Sequence, residues 1–283
     1  MIKRKFGWSG IQVPVIGQGT WKIDGDMEQL AIKALRLGLD LGLAHIDTAE
    51  MYGNGRVEEM VSEAISGQRD QVFLVSKVLP SNASYEDTIK SCERSLKRLK
   101  TDWLDLYLLH WPSSSHHISE TMRAMERLVT EGLVRHIGVS NFDVGDLMEA
   151  EQALQNQRIV CNQVLYNLDS RGIEHHILPY CAKQGIAVVG YSPFGHGNFP
   201  SPESAGGRIL LDIAERHGKT PRQVVLNFLT RHPNIFSIPK TRLVERVIEN
   251  SGSVGDWSLK DEDIEAIDEF FPLPDPNAQL EMI

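Results

Sequence analysis

The sequence predicts an α/β chain closed into one (β/α)8 TIM barrel domain over residues 1–283. Three observations carry this. Eight short apolar runs, many β-branched, recur through the chain: "VIGQGTW", "AHIDTA", "VFLVSKV", "LDLYLLH", "RHIGVSN", "VCNQVLYN", "AVVGYSP" and "IFSIPKT". Continuous apolar runs suit strands buried on both faces of a parallel sheet. Longer segments with helical spacing lie between them, the alternation of a βα repeat. Finally, an open doubly wound sheet would carry a G-x-G-x-x-G turn after a strand, and "GQGTWK" lacks the third glycine.

Taken in order, "FGWSGIQVP" reads as a small N-terminal hairpin plugging the bottom of the barrel. "MEQLAIKALRLGLDLG" is a helix ending on Gly42, a C′ glycine. In "SYEDTIKSCERSLKRLKTD", Ser84 three residues before Asp87 makes a capping-box-like entry. "SETMRAMERLVTEG" ends on Gly132 and "EHHILPYCAKQG" on Gly185, with Pro179 either kinking the latter or falling near its first turn. "KDEDIEAIDEF" is an extra helix outside the eightfold repeat, followed by a Pro-rich tail. "SPFGHGNFPSPESAGG" reads as a mobile flap, with His196 a solvated loop residue.

Composition narrows the function class. There are 38 acidic against 29 basic residues, a formal net charge of −9, and no Lys/Arg block, which argues against nucleic acid and anionic membranes as partners. Cys92, Cys161 and Cys181 are scattered without a CxxC pair, which suits a reducing compartment. The N-terminus lacks an apolar leader, and no stretch approaches the roughly 20 apolar residues of a membrane helix. A cytoplasmic monomer acting on a small molecule is expected.

In such a barrel the site lies at the C-terminal ends of the strands. The second run ends on Asp47 and leads to Tyr52. The third contains Lys77, and the fourth ends on His110. Singly, Asp47 could cap a turn, Tyr52 could be a loop aromatic and His110 a structural histidine. Lys77 in an apolar strand demands a carboxylate or a chemical role. Together, a Lys77 ammonium beside Tyr52 would lower the phenol's pKa, while Asp47 holds that lysine charged. A tyrosine so placed can protonate a carbonyl oxygen as hydride reaches carbon, with His110 orienting the carbonyl. His45 reads as structural, and Glu50 as shaping the loop or touching the edge of the site.

At these residues the sequence resembles the aldo-keto reductase family. "GQGTW", "HIDTAEMYGNG", "SK", "DLYLLHWP", "GVSN", "NQVLYN", "GYSPFG" and "IPKT" occur in family order across nearly the whole chain. "DLYLLHW" and "SRGIE" are similar to bacterial members that reduce small aldehydes such as methylglyoxal. The resemblance implies a catalytic tetrad of Asp47, Tyr52, Lys77 and His110, with Tyr52 the general acid, and NADPH bound in extended form. It also implies cofactor contacts at Gly19 and Thr20. Ser140, Asn141 and Gln163 match positions that hold the nicotinamide carboxamide, and Tyr191 matches the residue that stacks on the ring. Backbone at Ser192, Phe194 and Gly195 would line the pyrophosphate. Lys240, Thr241 and Arg246 match the 2′-phosphate clamp, where charge-assisted bonds are worth about 1.5–3 kcal/mol each. Glu249 and Asn250 match adenine contacts. Trp21 and Trp111 would wall the substrate pocket.

The departures are Arg56 and Val57 after the "GNG" turn, Thr241 where serine is commoner, and a short segment after "DEF". The last predicts that the long C-terminal loop of animal relatives is absent and the pocket open. Two other readings stand beside a reductase. A metal-dependent hydrolase needs clustered His/Asp/Glu ligands. The nearest approach is His45-Ile46-Asp47, whose side chains point the same way, while His116-His117 and His175-His176 are adjacent pairs, so no metal is expected. A non-catalytic nicotinamide-sensing subunit on the same fold is the other, against which the intact tetrad argues.

Overall fold

The computed structural model describes residues 1–283. The chain opens with an antiparallel hairpin of β1 (Lys3–Lys5) and β2 (Gln12–Pro14), in which Lys3 faces Pro14. Strand and helix then alternate through β3 (Gln18–Gly19), α1 (Glu28–Asp40), β4 (His45–Asp47), α2 (Arg56–Ala64), β5 (Phe73–Val78) and α3 (Tyr85–Leu99). The pattern continues with β6 (Leu104–Leu109), α4 (Ile118–Thr130), β7 (Val134–Ser140), α5 (Val144–Ala153), β8 (Ile159–Leu165), α6 (Ile177–Gln184) and β9 (Ala187–Tyr191). Two helices, α7 (Ala205–His217) and α8 (Pro221–Leu229), precede β10 (Ile235–Ser237), and α9 (Val244–Ser251) and α10 (Asp261–Phe270) follow it.

Strands β3 to β10 pair in chain order, each parallel to the next. The first and last are joined by parallel bridges from Ile16 to Ser237 and from Gly19 to Lys240, and the Gly17 N–H donates to the Ser237 carbonyl at 2.8 Å. The sheet is therefore a closed barrel with no free edge. No helix is long and apolar enough to cross a membrane.

The core has two layers because each strand is buried on both faces. Its outward residues and the inner stripes of the helices form the larger apolar cluster, including Ile46, Leu74, Tyr107, Cys92 and Leu210. A smaller cluster fills the barrel itself, with Phe73, Val75, Leu106, Leu108, Val189 and Phe236. The hairpin closes the bottom. Phe6 is fully buried, and its ring centroid lies 4.9 Å from those of both Phe73 and Phe236.

The expected helix boundaries are present. Ser84 caps α3 by accepting from the Asp87 N–H, and Gly185 ends α6 at φ 69°, where a Cβ would be strained. Pro179 is the third residue of α6, within the first turn, where its missing N–H leaves no helical bond unmade.

Candidate active site

Alternation along the strands decides what meets at the top of the barrel. Phe73 and Val75 face the interior, so Lys77 on β5 shares their face. The same rule carries Leu106 and Leu108 to His110, Cys161 to Gln163 and Val189 to Tyr191. Each strand thus has an apolar lower part and a polar group above it, and the polar groups converge.

Lys77 is fully buried and uses all three of its donors. Its Nζ donates to Asp47 Oδ1 at 2.5 Å, to the Thr48 carbonyl at 2.9 Å and to Tyr52 Oη at 3.2 Å. The other carboxylate oxygen of Asp47 accepts from Gln163 Nε2 at 2.8 Å, and the Asp47 carbonyl accepts from Thr20 Oγ1. A buried ion pair is tolerable because every partner around it is satisfied.

Tyr52 is placed by the turn that follows it. Gly53, Asn54 and Gly55 all have positive φ (55°, 51° and 90°), and a Cβ on Gly55 would lie 2.6 Å from Arg98 Cδ. The "YGNG" composition is therefore a backbone requirement, met by residues that tolerate the left-handed region. Glu50 accepts from the Leu79 N–H (2.8 Å) and Asn82 Nδ2 (2.9 Å), which ties this loop to the end of β5. Its role is to shape the loop, not to touch the site.

His110 stands with its ring centroid 5.7 Å from that of Tyr52 and stacks on Trp111 at 3.9 Å. Its carbonyl accepts from Asn141 Nδ2, Asn141 Oδ1 accepts from Tyr191 Oη at 2.8 Å, and Ser140 Oγ donates to the Gln163 carbonyl. Strands β6 to β9 are thereby tied together at their upper ends.

A cavity of about 480 Å³ opens over these groups. Asp47, Tyr52 and His110 line it, as do Ser140, Asn141, Gln163 and Tyr191. Trp21 and Trp111 stand in its wall, and Gly19, Thr20, Ser192, Phe194 and Lys240 also contribute. Lys77 lies behind Tyr52. Gly195 begins the short turn whose His196 and Gly197 reach the cavity. Thr241, Arg246, Glu249 and Asn250 do not line it. Thr241 Oγ1 accepts from the Leu243 N–H, and Arg246 is ion-paired with Glu249 at 2.6 Å. Asn250 is buried with an unpartnered Oδ1.

Electrostatics sharpen the roles. Burial lowers the pKa of Lys77, but the Asp47 carboxylate and the Tyr52 phenol more than offset this, and the lysine stays an ammonium. Burial pushes the Tyr52 phenol up, and the neighbouring Lys77 charge only partly opposes it. This corrects the expectation of a lowered phenol pKa. Desolvation outweighs the lysine because Tyr52 is enclosed and the Asp47 charge lies nearby. Burial and the Lys77 charge hold His110 far below the usual imidazole range, so it is neutral. The same two causes bring His45 down to about 3. It packs edge-on against Phe6 and Phe73 as a structural residue.

Two expectations about the rim change. His196 is exposed, yet its ring stacks on Trp21 at 4.9 Å and 20°, bridging the loops after β3 and β9. The tail after α10 is short, and its end reaches the rim of the pocket. It runs past α6, where the Pro274 carbonyl contacts His175 Nε2, to Ile283, which lines the cavity and donates its N–H to Tyr191 Oη at 3.3 Å. Sequence reasoning also missed Lys22, Met51, Phe199 and Arg222 as lining residues; the first three lie in stretches quoted for other positions, and Arg222 lies in none.

The family model for the aldo/keto reductase family matches residues 15–271. The chain belongs to the aldo/keto reductase family. It is an oxidoreductase of that type, not a barrel hydrolase. It is 40% identical over the whole of both chains to methylglyoxal reductase YeaE of Escherichia coli (strain K12). It is 35% identical to glyoxal reductase of Bacillus subtilis (strain 168), over 92% of this chain and 90% of that one. Among solved structures, an aldo-keto reductase from Klebsiella pneumoniae in complex with NADPH superposes with a TM-score of 0.93 at 39% identity, covering 100% of both chains.

Proposed function

We propose that the chain reduces the carbonyl of small aldehydes, dicarbonyls or keto sugars to an alcohol, using NADPH and a proton from Tyr52. The reading rests on one observation above all: the Asp47–Lys77–Tyr52 relay ends in a protonated phenol at the cavity, beside a neutral His110. The names of the reductases it resembles, which act on methylglyoxal and glyoxal, and the NADPH held by its solved relative support it.

The residues present fit the dinucleotide. Lys22 and Arg242 lie within electrostatic reach of Lys240, and none of the three takes part in an ion pair, although the chain is acidic overall. Burial and these two neighbouring charges lower the pKa of Lys240, a strain that a phosphate dianion would relieve. Ser140, Asn141 and Gln163 would hold the carboxamide, and the Tyr191 ring would cover one face of the nicotinamide. Lys240, Thr241 and Arg246 would take the 2′-phosphate, and Glu249 and Asn250 the adenine.

Bound NADPH supplies the hydride. His110, uncharged, donates its ring N–H to the carbonyl oxygen and fixes its direction. Tyr52 donates its phenolic proton to that oxygen as negative charge develops there. Lys77 steadies the resulting phenolate, and Asp47 keeps Lys77 charged and aimed. Trp21 and Trp111 give an apolar wall suited to a small substrate and exclude water from it.

The test is NADPH oxidation across small aldehydes, dicarbonyls, keto sugars and aromatic aldehydes. Turnover concentrated in the small aldehydes and dicarbonyls is expected, and no oxidation with any carbonyl would overturn the reading.

A further inference from the structure

Arg222 sits in the first turn of α8, in "TPRQVV", a stretch that would ordinarily be read only as a helix start. Its guanidinium is partly buried and lies over two rings, with its central carbon 4.6 Å from the Phe194 centroid and 4.5 Å from that of Phe199. It lines the same cavity as Lys240 and Lys22. It makes no side-chain hydrogen bond and no ion pair, although 38 carboxylates are available in the chain. The nearby carboxylate, Glu249, is already engaged by Arg246 at 2.6 Å and by Thr220 Oγ1 at 2.7 Å.

A half-buried guanidinium without a protein acceptor has lost part of its hydration, and two ring faces offset only part of that cost. What they do provide is orientation. Phe194 and Phe199 both belong to the loop after β9, so the pair holds the five-donor fork at the cavity lining. Arginine in this state is preorganised for a planar or tetrahedral oxyanion.

We infer that Arg222 is a further phosphate-binding residue of the dinucleotide site, outside the Lys240–Arg246 clamp, taking either the 2′-phosphate or the pyrophosphate of the cofactor. The inference rests on the NADPH reading above, and it adds a residue that the sequence motifs do not mark. The burial and the cationic neighbour Arg246, which lower the Arg222 pKa, are the strain an anion would remove. The Phe194 and Phe199 contacts also couple binding to the flap, because an anion on Arg222 fixes the rings it rests on.

The experiment is equilibrium titration of the protein's tryptophan fluorescence with NADPH, NADH and adenosine 2′,5′-bisphosphate, for wild type, Arg222→Gln and Arg222→Lys. NADPH affinity is expected to fall at least about tenfold in Arg222→Gln, one charge-assisted bond's worth, with partial recovery in Arg222→Lys. If NADH affinity holds while the bisphosphate weakens in parallel, the 2′-phosphate is the partner. If NADH weakens equally, it is the pyrophosphate. Unchanged NADPH affinity in Arg222→Gln, with wild type binding normally, overturns the inference alone. Wild type that binds no dinucleotide overturns the NADPH reading and this inference with it.

Discussion

Lys77 Nζ lies 2.5 Å from Asp47 Oδ1, on neighbouring parallel strands with both side chains almost wholly buried. The pair exists because β4 and β5 each present a charged residue to the upper interior of the barrel, where fixed protein groups on Thr48, Tyr52 and Gln163 complete its solvation. Its second consequence is the placement of Tyr52, whose Oη takes the remaining donor of the lysine.

Lys77→Met keeps the length of the side chain and removes the charge. Reduction is expected to slow by about 10²–10⁴-fold, the range of a lost acid–base assembly. Stability should also fall by about 3–5 kcal/mol, since the Asp47 carboxylate is left buried without its cation. Steady-state kinetics and urea unfolding check the two parts separately. Wild-type turnover in a folded variant would contradict the relay.

Arg171 is 2% exposed and draws together distant parts of the chain. It bonds Glu174 at 2.7 Å, Asp268 at 2.7 Å and the Phe271 carbonyl at 2.6 Å, while Glu174 also takes Arg231 at 2.6 Å. Arg171 ties the end of the extra helix α10 to the loop before α6, while Asp263 joins the start of that helix to Arg216 and His217 of α7. Arg171→Met should cost about 1–3 kcal/mol by leaving the buried Phe271 carbonyl without its donor, since Glu174 keeps Arg231 and Tyr166 and Asp268 is half-exposed. Denaturant unfolding monitored by circular dichroism gives the number, and a loss below 1 kcal/mol would show that the network contributes little.

His45 makes stability depend on acid. Its folded pKa is about 3 against an ordinary 6.5, so below pH 6.5 the unfolded chain binds a proton that the folded chain refuses. Stability therefore falls as pH drops from 6.5 toward 3, by about 2 kcal/mol at pH 5 from this residue. His45→Leu removes the titration, and its unfolding free energy should fall less steeply than wild type between pH 6.5 and 5. Parallel slopes would place the acid sensitivity elsewhere.

Much of this was legible in the chain itself. The eight strands announce themselves because burial on both faces demands continuous apolar runs, and Lys77 stands out because lysine is foreign to such a run. The "YGNG" turn is readable for a related reason: three successive left-handed residues leave little choice of side chain. The direction of the Tyr52 pKa was not legible, since it depends on how fully the fold encloses the ring, and spacing carries no measure of enclosure. His196 on Trp21, Ile283 at the rim and Arg222 between two phenylalanines were hidden for another reason. Each contact joins segments far apart in the chain and leaves no local periodicity. The pair α7 and α8 escaped notice because attention to strand spacing treats everything between β9 and β10 as one connection.

The proposed mechanism turns on delivery of the proton by Tyr52. Tyr52→Phe deletes one oxygen and keeps the ring that packs beside His110. Measured side by side, kcat for reduction of a small aldehyde and the Kd for NADPH should part company. A fall in kcat of about 10²–10⁴-fold is expected, while NADPH binding stays within about twofold of wild type. Turnover near wild type in Tyr52→Phe, with the cofactor bound, would contradict it.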